Sequence, residues 1–377
     1  MKLIIAGDLV PGETNEELFS KGNVEELLGE DLKKVWNAAE WRIFNLEAPL
    51  TDSITPIEKC GPNLRASMAT ITGIKKLNPS LITLANNHIL DQGVQGLSST
   101  ELLLKKYNIH FIGAGENIRH ASAPYILEKG GYTIGVYTCA ENEFTIATEK
   151  TPGANPFDPL ESLDHIADLK SKCDYVIVLY HGGKEHYRYP SPYLQKVLRK
   201  IVEKGADVVV AQHSHCIGCY EKYLDSTIIY GQGNFIFDRL DNEYWSTSIL
   251  IDINIGDKLD INYIPIVKNG NVIRLAQKEK AEDIIGKFNA RSFDIRQENF
   301  VEENYKKHAK EKLEGYLKSL AGFGKWTSRF DRKLLKGAIL KKLYTKDKYL
   351  AIQNYIECEA HRELLIKGLE GARKGGR

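Results

Sequence analysis

The sequence predicts an α/β fold followed by a helical C-terminal extension. Short, β-branched and nearly continuously apolar runs alternate with segments that carry apolar residues at helical spacing. Such runs are typical of strands covered on both faces, and repeated strand–helix units build a sheet with helices packed against it. After residue 277 the sequence becomes charged and mainly helical in pattern. We therefore predict a domain of residues 1–277 and an extension of residues 278–377.

The predicted strands and helices follow one another in a regular order. Before residue 235, strands are predicted at 2–6, 42–46, 81–85, 174–180, 207–211 and 227–230, and helices at 24–40, 93–107 and 192–204. Ser191 is the expected N-cap of the last of these helices, and Gly205 follows its end. Farther on, strands at 248–255 and 260–267 precede the turn Asn269-Gly270-Asn271 and a strand at 272–276.

Charge and hydropathy exclude several classes of protein. The 51 Lys and Arg residues nearly balance the 50 Asp and Glu residues, so the whole-chain charge indicates no nucleic acid partner. No apolar run approaches the roughly 20 residues that span a bilayer, and the start MKLIIAGD is too short for a signal sequence. The six cysteines are scattered through a large chain, unlike those of a secreted disulfide scaffold. We therefore expect a cytoplasmic protein.

Polar residues follow the carboxyl ends of the predicted strands. They are Asp8, Asn45 with Glu47, Asn86 with Asn87 and His88, His181, His213 with His215, and Asn234. Ligands in open α/β sheets bind at this edge, so we expect these side chains to meet there. Carboxylate, carboxamide and imidazole groups together suit divalent ions such as Mn²⁺, Zn²⁺, Fe²⁺ or Mg²⁺. Two such ions can clamp a phosphoryl group and lower the pKa of a bound water.

An ordered set of motifs at these positions resembles the CapA or PGA-cap family. The motifs are GDLV, NLEAPLT, LANNHILDQG, GAGEN, LYHGGKE, GADVVVAQHSH and IIYGQGNFIFD, within about residues 1–240. The family fold is similar to that of calcineurin-like metallophosphoesterases, which implies a four-layer α/β/β/α sandwich. The family name implies a part in capsule or poly-γ-glutamate synthesis.

The resemblance also implies a role for each matched residue. Asp8 and His215 would ligate one metal ion, Asn87, His181 and His213 would ligate a second, and Glu47 would bridge the two. His88 would be the acid that contacts the leaving oxygen, and Asp91 of the same motif would assist catalysis. One or two divalent metal ions are therefore the implied cofactors.

The sequence departs from the family pattern around the first metal. Val10 stands where metallophosphatases carry a His, and Glu13 lies about where CapA-type sequences often carry an Arg. Gly182 and Gln212 replace a usual Trp and a usual Gly. Two functions stay open as a result. One is a metal-dependent phosphoesterase, and the other is a non-catalytic binding or assembly subunit with a degenerate metal site.

Basic residues near the motifs indicate an anionic substrate, either a small molecule or a polymer. Lys59 and Arg65 follow the Glu47 motif, while Lys184, Glu185 and Arg188 follow His181. Arg and Lys clusters bind phosphate and carboxylate well, although single exposed cations are commonly only solvated. We predict these five residues to bind substrate.

Two further segments have competing interpretations. The run from His213 to Cys219 holds four candidate zinc ligands, but adjacent His215 and Cys216 would point to opposite faces of an extended chain. We therefore expect the cysteines to be small buried hydrophobes. The basic stretch 326–348 is predicted to be a solvated helical face or, alternatively, a contact with a membrane or a biosynthetic complex.

Overall fold

The computed structural model describes residues 1–237 and 242–375. The chain divides into two compact units, Met1–Glu302 and Glu303–Arg377. Asp238 of the last predicted motif and the two final residues of the predicted extension lie outside the described residues.

Two mixed β-sheets form the centre of the first unit. The strands are β1 (Lys2–Val10), β2 (Trp41–Leu46), β3 (Leu81–Thr83), β4 (Phe111–Ile112), β5 (Ala114–Gly115), β6 (Tyr125–Lys129), β7 (Tyr132–Ala140), β8 (Gly153–Ala154), β9 (Tyr175–His181), β10 (Val208–Gln212), β11 (Tyr220–Tyr223), β12 (Ser226–Ile229), β13 (Ile236–Phe237), β14 (Thr247–Ile255), β15 (Leu259–Asn269) and β16 (Val272–Leu275). The larger sheet has the order β16-β15-β14-β1-β2-β3-β4, with β13 paired to β1. The smaller sheet has the order β11-β12-β10-β9-β7-β6, and β5 pairs separately with β8.

Helices connect the strands and continue to the end of the described chain. They are α1 (Glu16–Lys21), α2 (Val24–Ala38), α3 (Ile71–Lys76), α4 (Gly93–Lys106), α5 (Ile118–Ala121), α6 (Ser162–Lys170), α7 (Pro192–Glu203), α8 (Lys278–Asp294), α9 (Phe300–Leu320), α10 (Lys325–Lys333), α11 (Ala338–Leu343), α12 (Lys346–Glu357) and α13 (Glu359–Gly375), with 3₁₀ turns at Met68–Thr70 and Glu243–Trp245. In the residues that the structure describes, we find no helix with both the length and the apolar character that a membrane crossing requires.

The two sheets pack face to face, with helices on both outer faces. Alternate residues of β1 show this directly, because successive strand side chains point to opposite faces. Leu3 and Ile5 join the apolar cluster between the sheets, where Ile177 and Val208 of the smaller sheet also lie. Ile4 belongs to the cluster that the larger sheet shares with α2 and α4. A third cluster joins the smaller sheet to α6 and α7. The predicted four-layer α/β/β/α sandwich is therefore confirmed.

The elements predicted from the sequence are present, with small differences at their ends. The first strand is longer than predicted and ends at Val10. Asp8 therefore lies within the strand and not after its end. Ser191 caps α7 as predicted, because its hydroxyl accepts a hydrogen bond of 3.0 Å from the Leu194 amide. Gly270 takes a positive φ of 62° in the turn between β15 and β16, as the Asn-Gly-Asn sequence predicts.

Helix α8 belongs to the compact first unit, although it begins after the boundary predicted near residue 277. Its side chains Ile284 and Phe288 are buried. The Phe288 ring lies 5.1 Å from the ring of Tyr220 and 4.9 Å from that of Tyr263, measured between centroids. The change of composition near residue 277 therefore marks the start of a helix and does not mark the end of the first compact unit, which continues to Glu302. The assignment of a separate domain to residues 278–377 stays a prediction.

Candidate metal centre

The strand ends bring their polar side chains together in one buried place. Asp8 pairs with Asn45 in the register of β1 and β2, and Gln212 pairs with His181 in that of β9 and β10. Parallel strands end at the same edge, so His213 follows directly beside His181. All of the predicted metal ligands are buried, namely Asp8, Glu47, Asn87, His181, His213 and His215.

The Nε2 atom of His181 is surrounded by three other potential ligand atoms. It lies 3.1 Å from Asn87 Oδ1, 3.1 Å from Glu47 Oε1 and 3.2 Å from His213 Nδ1. One ring N–H can donate to only one of these atoms, so hydrogen bonding does not account for the whole arrangement. Adjacent ligands on a tetrahedral ion with bonds of about 2.0–2.1 Å lie about 3.3 Å apart. The three distances from His181 Nε2 therefore match those between adjacent ligands of a metal ion.

Glu47 supplies a buried carboxylate whose Oε1 atom lies 3.1 Å from His181 Nε2 without forming a well-aligned hydrogen bond. Its side chain is fully buried, and neither carboxylate oxygen has a hydrogen-bond partner among the described residues. A buried carboxylate needs a positive partner; protonated His181 can supply it in the metal-free protein, and a bound cation would supply it in the metal-loaded protein. Glu47 belongs to both groups of ligand atoms that lie within 4.8 Å of one another, Asp8–Glu47–His181 and Glu47–His213–His215. A shared position of this kind fits the bridging role that the family resemblance implies.

Asp8 and His215 form the other end of the cluster. Asn45 donates a hydrogen bond of 2.8 Å to Asp8 Oδ1, and His215 Nδ1 lies 3.5 Å from Asp8 Oδ2. The same His215 nitrogen lies 2.8 Å from Asn234 Oδ1. The His215 ring also stacks on Trp245, with 4.4 Å between the ring centroids. These contacts fix the orientation of a carboxylate and an imidazole beside Glu47.

Gly7 and Gly233, which precede Asp8 and Asn234, pack closely because Gly7 has no side chain. A Cβ atom at Gly7 would lie 2.0 Å from the carbonyl oxygen of Gly233, far inside van der Waals contact. We expect Gly7→Ala to lower the free energy of unfolding by about 1–3 kcal/mol, because the added methyl forces the two backbones apart. Gly256→Ala is the control, since a Cβ there meets nothing within 4 Å. Urea unfolding of both variants measures the effect, and equal stability would contradict it.

The buried charges shift the pKa values of four groups. Burial alone raises the pKa of Asp8, but hydrogen bonding to His215 and the charges of His181 and His215 leave it below its usual value. Burial alone lowers the pKa of His215, yet Glu47 and Asp8 raise it to about 9. The pKa of His181 is likewise raised, because the attraction of Glu47 outweighs burial. Burial and the neighbouring histidines hold the pKa of His213 well below its usual range.

Metal binding is expected to release protons. In the metal-free protein His215, with its pKa near 9, carries a proton at neutral pH, and the raised pKa of His181 acts in the same direction. A metal ion binds imidazole as the neutral base, so it must displace these protons. Affinity should therefore weaken as the pH falls below about 9. Calorimetric titration with Zn²⁺ at pH 7, in two buffers of different ionisation enthalpy, measures the release; identical heats would contradict it.

His88 lies beside the cluster and is held by a buried ion pair. Its Nδ1 atom is 2.5 Å from Asp91 Oδ2 and 3.1 Å from Lys59 Nζ. Lys59 also forms an ion pair with Asp91 Oδ1, and the two side chains are only 2% and 0% exposed. Asp91 thus orients the His88 ring through Nδ1, which leaves Nε2 as the nitrogen available to a substrate.

The other residues predicted to bind substrate lie in different surroundings. Lys184 is exposed, and its positive charge helps to lower the pKa of His213. Glu185 Oε1 lies 4.0 Å from His213 Nε2. Arg65 is exposed and donates to the backbone oxygen of Thr51. Lys184 and Glu185 are therefore placed next to the ligand cluster, and Lys59 is engaged with Asp91. Binding of substrate by any of them stays a prediction.

Arg188 has its guanidinium engaged away from the ligand cluster. It donates to the Ile217 carbonyl oxygen at 3.0 Å and pairs with Glu243 at 3.2 Å. It lines a separate cavity of about 190 Å³, together with Arg291. Its role in substrate binding stays a prediction as well.

Three asparagines and one tryptophan contact the predicted ligands or His88. The sequence alone indicates no individual role for any of these four residues. Asn86 donates to Asn45 Oδ1 at 3.1 Å and accepts from the His88 amide at 3.1 Å, so it ties two strand ends together. Asn45 and Asn234 hold Asp8 and His215, as described above. Their positions at strand ends are a usable signal, whereas nothing in the sequence near Trp245 marks its contact with His215.

The two cysteines of the C-x-x-C segment are buried, as expected. Burial raises the pKa of both the Cys216 and the Cys219 thiols. The candidate ligand groups found within residues 1–237 and 242–375 contain no cysteine. His213 and His215 instead group with Glu47, so the described residues give no four-ligand zinc site in this segment.

Sequence comparisons connect the chain to capsule biosynthesis proteins. The family profile described as "Bacterial capsule synthesis protein PGA_cap" matches residues 2–239. "PGA biosynthesis protein CapA" of Bacillus subtilis is 28% identical over 238 residues, which cover 62% of this chain and 62% of that protein. "Capsule biosynthesis protein CapA" of Bacillus anthracis is 27% identical over 248 residues, 63% of this chain and 60% of that protein. The chain thus spans less than two thirds of these relatives.

Solved structures show a more distant likeness. A putative 5′-nucleotidase from Staphylococcus aureus aligns with 77% of this chain and 58% of its own, at 14% identity and a TM-score of 0.45. A phosphatase from Mycoplasma pneumoniae aligns with 72% of this chain and 94% of its own, also at 14% identity and a TM-score of 0.45.

Proposed function

The chain belongs to the bacterial capsule synthesis protein family PGA_cap, and on this basis we propose that it is a divalent-metal-dependent phosphoesterase. Its substrate would be an anionic phosphoester used in the synthesis of a capsule or related polymer. Two relatives are named for PGA or capsule biosynthesis, which supports this class of substrate. The observation that carries the proposal is the buried Glu47 carboxylate, which makes no well-aligned hydrogen bond and is shared by two groups of ligand atoms.

The chemistry of the donor set fits a divalent metal centre. Asn87, His181 and His213 with Glu47 would hold one ion, and Asp8 and His215 with Glu47 would hold a second. Bound there, such ions would polarise a phosphoryl oxygen and lower the pKa of an attacking water. Three imidazoles in the set favour Zn²⁺, Fe²⁺ or Mn²⁺ over Mg²⁺, which prefers oxygen ligands.

His88 is the proposed general acid for the leaving group. Asp91 accepts from Nδ1 at 2.5 Å, which favours the tautomer with its proton on Nδ1 and fixes the ring plane. A second proton on Nε2 can then pass to the leaving oxygen, and the resulting neutral ring stays hydrogen-bonded to Asp91. Lys59 balances the Asp91 charge in this buried position, so Asp91 and Lys59 act as positioning residues for His88.

One exposed cation near His213 could meet an anionic substrate, although the carboxylate of Glu185 lies 4.0 Å from the same histidine. Lys184 is exposed next to this ligand and can meet a phosphate oxygen as it approaches. Lys59 is ion-paired with Asp91 and is buried, so its positive charge is largely neutralised before a substrate binds. Its main role is to help position His88.

Hydrolysis of phosphoesters by metal-loaded protein tests the proposed function. The protein is stripped with a chelator, reloaded with Zn²⁺, Mn²⁺ or Mg²⁺, and assayed with p-nitrophenyl phosphate and bis-p-nitrophenyl phosphate. Turnover should be absent in the stripped protein and return with the metal. Protein that binds metal but hydrolyses neither these esters nor a broader panel would contradict a phosphoesterase.

A non-catalytic binding subunit is the second candidate, and Val10 favours it. Val10 stands where metallophosphatases carry a His, and it is buried in the apolar cluster between the larger sheet and its helices. The position therefore offers no ligand to the first metal. Stoichiometric metal binding without turnover, in the assay described above, is the result that this candidate predicts.

A further inference from the structure

Helix α10 presents aromatic and basic side chains to solvent next to each other. Trp326 is 82% exposed and Phe330 is 49% exposed, and Arg329 and Lys333 are exposed as well. With about 3.6 residues per turn, these four positions fall within roughly 100° of the helix circumference. We call this set of four residues the α10 surface.

A buried aspartate fixes which side of α10 faces outward. Asp331 is fully buried and lies about 140° around the helix from Trp326. Its Oδ1 atom accepts a hydrogen bond of 3.0 Å from the Ile339 amide, and its carbonyl oxygen accepts one of 2.9 Å from the Gly337 amide. Turning Trp326 inward would expose or break these contacts, so the aromatic rings stay on the outside.

Positive charge is concentrated in the same segment. Residues 325–348 contain nine Lys and Arg residues and two Asp residues, a net charge of +7, whereas the whole chain carries +1. One of the two aspartates is the buried Asp331, so the exposed charge is almost entirely positive. Apolar side chains continue beyond α10, where Leu334 is 69% exposed and Leu335 is 38% exposed.

We propose that the α10 surface, together with the basic segment that ends at Lys348, docks on an anionic lipid surface. Indole and phenyl rings are stable at the boundary between headgroups and acyl chains, while Lys and Arg meet the lipid phosphates. Exposed aromatic side chains distinguish this surface from one for a soluble polyanion, which attracts the cations but leaves the rings in water. A symmetric contact of this segment with the same segment of a second copy is disfavoured, because it would bring two charges of +7 together.

Binding to vesicles of defined composition tests the proposal, with Trp326 as the reporter. The other three tryptophans, Trp36, Trp41 and Trp245, are buried, so a shift of the fluorescence emission on binding reports Trp326. We expect the full chain to co-sediment with phosphatidylcholine vesicles that contain about a third phosphatidylglycerol, with a blue shift of its emission. Pure phosphatidylcholine should bind at least tenfold more weakly, and about 1 M salt should release the protein, because it screens charges beyond about 3 Å.

Matched variants separate the aromatic contribution from the charge. The double variant Trp326→Ser/Phe330→Ser should lose at least tenfold in vesicle binding, while its circular dichroism stays that of the wild type. Tyr193→Ser is the control, since it removes an aromatic side chain that is 66% exposed on α7, in the first unit. Vesicle binding of Tyr193→Ser should equal that of the wild type.

Several outcomes would overturn the lipid proposal. One is the absence of binding to anionic vesicles, and another is equal binding to neutral and anionic vesicles. Binding of soluble polyglutamate, without vesicle binding and with unchanged Trp326 emission, would identify a polyanion site. Self-association that the double variant abolishes, again without vesicle binding, would identify an interface between copies.

Discussion

Replacement of His88 by Ala should lower phosphoester turnover by about 10²–10⁴-fold while the metal content stays at the wild-type level. The reason is geometric, because His88 Nδ1 is taken by Asp91 and leaves only Nε2 for the leaving oxygen. The variant keeps the ligand cluster around His181, which does not include His88. Steady-state kinetics and mass-spectrometric metal analysis of the same preparation measure the two effects.

The control for this substitution is His120→Ala. His120 is exposed on α5, and its Nδ1 atom lies 2.9 Å from the carboxylate of the exposed Glu116. The turnover and metal content of His120→Ala should both match the wild type. Loss of metal from His88→Ala would instead identify His88 as a ligand, and unchanged turnover would remove it from the catalytic step.

Glu47→Gln should abolish metal binding with little change in side-chain shape. Glu47 is the residue shared by both groups of ligand atoms, so its charge serves both positions at once. Loss of a residue that merely orients a ligand costs about 10–100-fold in metal affinity, and loss of this carboxylate should cost more. Turnover should fall with the metal.

Glu185→Gln is the matched control for Glu47→Gln. Glu185 is exposed and its carboxylate lies 4.0 Å from His213, outside both groups of ligand atoms. Metal affinity of this variant, measured by calorimetric titration, should stay within a few-fold of the wild type. Comparable losses in the two variants would show that general negative charge, and not coordination by Glu47, controls binding.

The sequence is most informative where strands are buried on both faces. The runs of β9 and β10 are nearly all apolar, and this pattern predicts them correctly. β7 is missing from the sequence prediction, because its run YTIGVYTCA mixes Thr, Tyr and Gly with apolar residues. The structure explains Gly135, since a Cβ there would lie 2.6 Å from the Leu169 side chain of α6. The need for a glycine beside Leu169 comes from tertiary packing, so it produces no periodic pattern in the local sequence.

The candidate site was predictable to the extent that strand ends define it. Parallel strands place His181 and His213 at one edge of the smaller sheet, as the strand pattern predicts. Asp8 belongs to the larger sheet, so its approach to them also depends on how the two sheets pack. The position of Lys59 does not follow in this way. It lies in a segment without regular secondary structure, and only the path of that segment brings it to Asp91. Contacts between loops and strand ends are therefore the part of the candidate site that the sequence does not predict.

The proposed function depends on the cluster around His181 Nε2 being a divalent metal centre. Metal content after dialysis, measured by mass spectrometry on the wild type, His181→Ala and His213→Ala, tests it most directly. We expect one or two ions per wild-type chain and a strong loss in both variants, because each substitution removes a buried imidazole that lies within 3.2 Å of another ligand atom. Equal metal content in the three proteins would show that these histidines are not metal ligands.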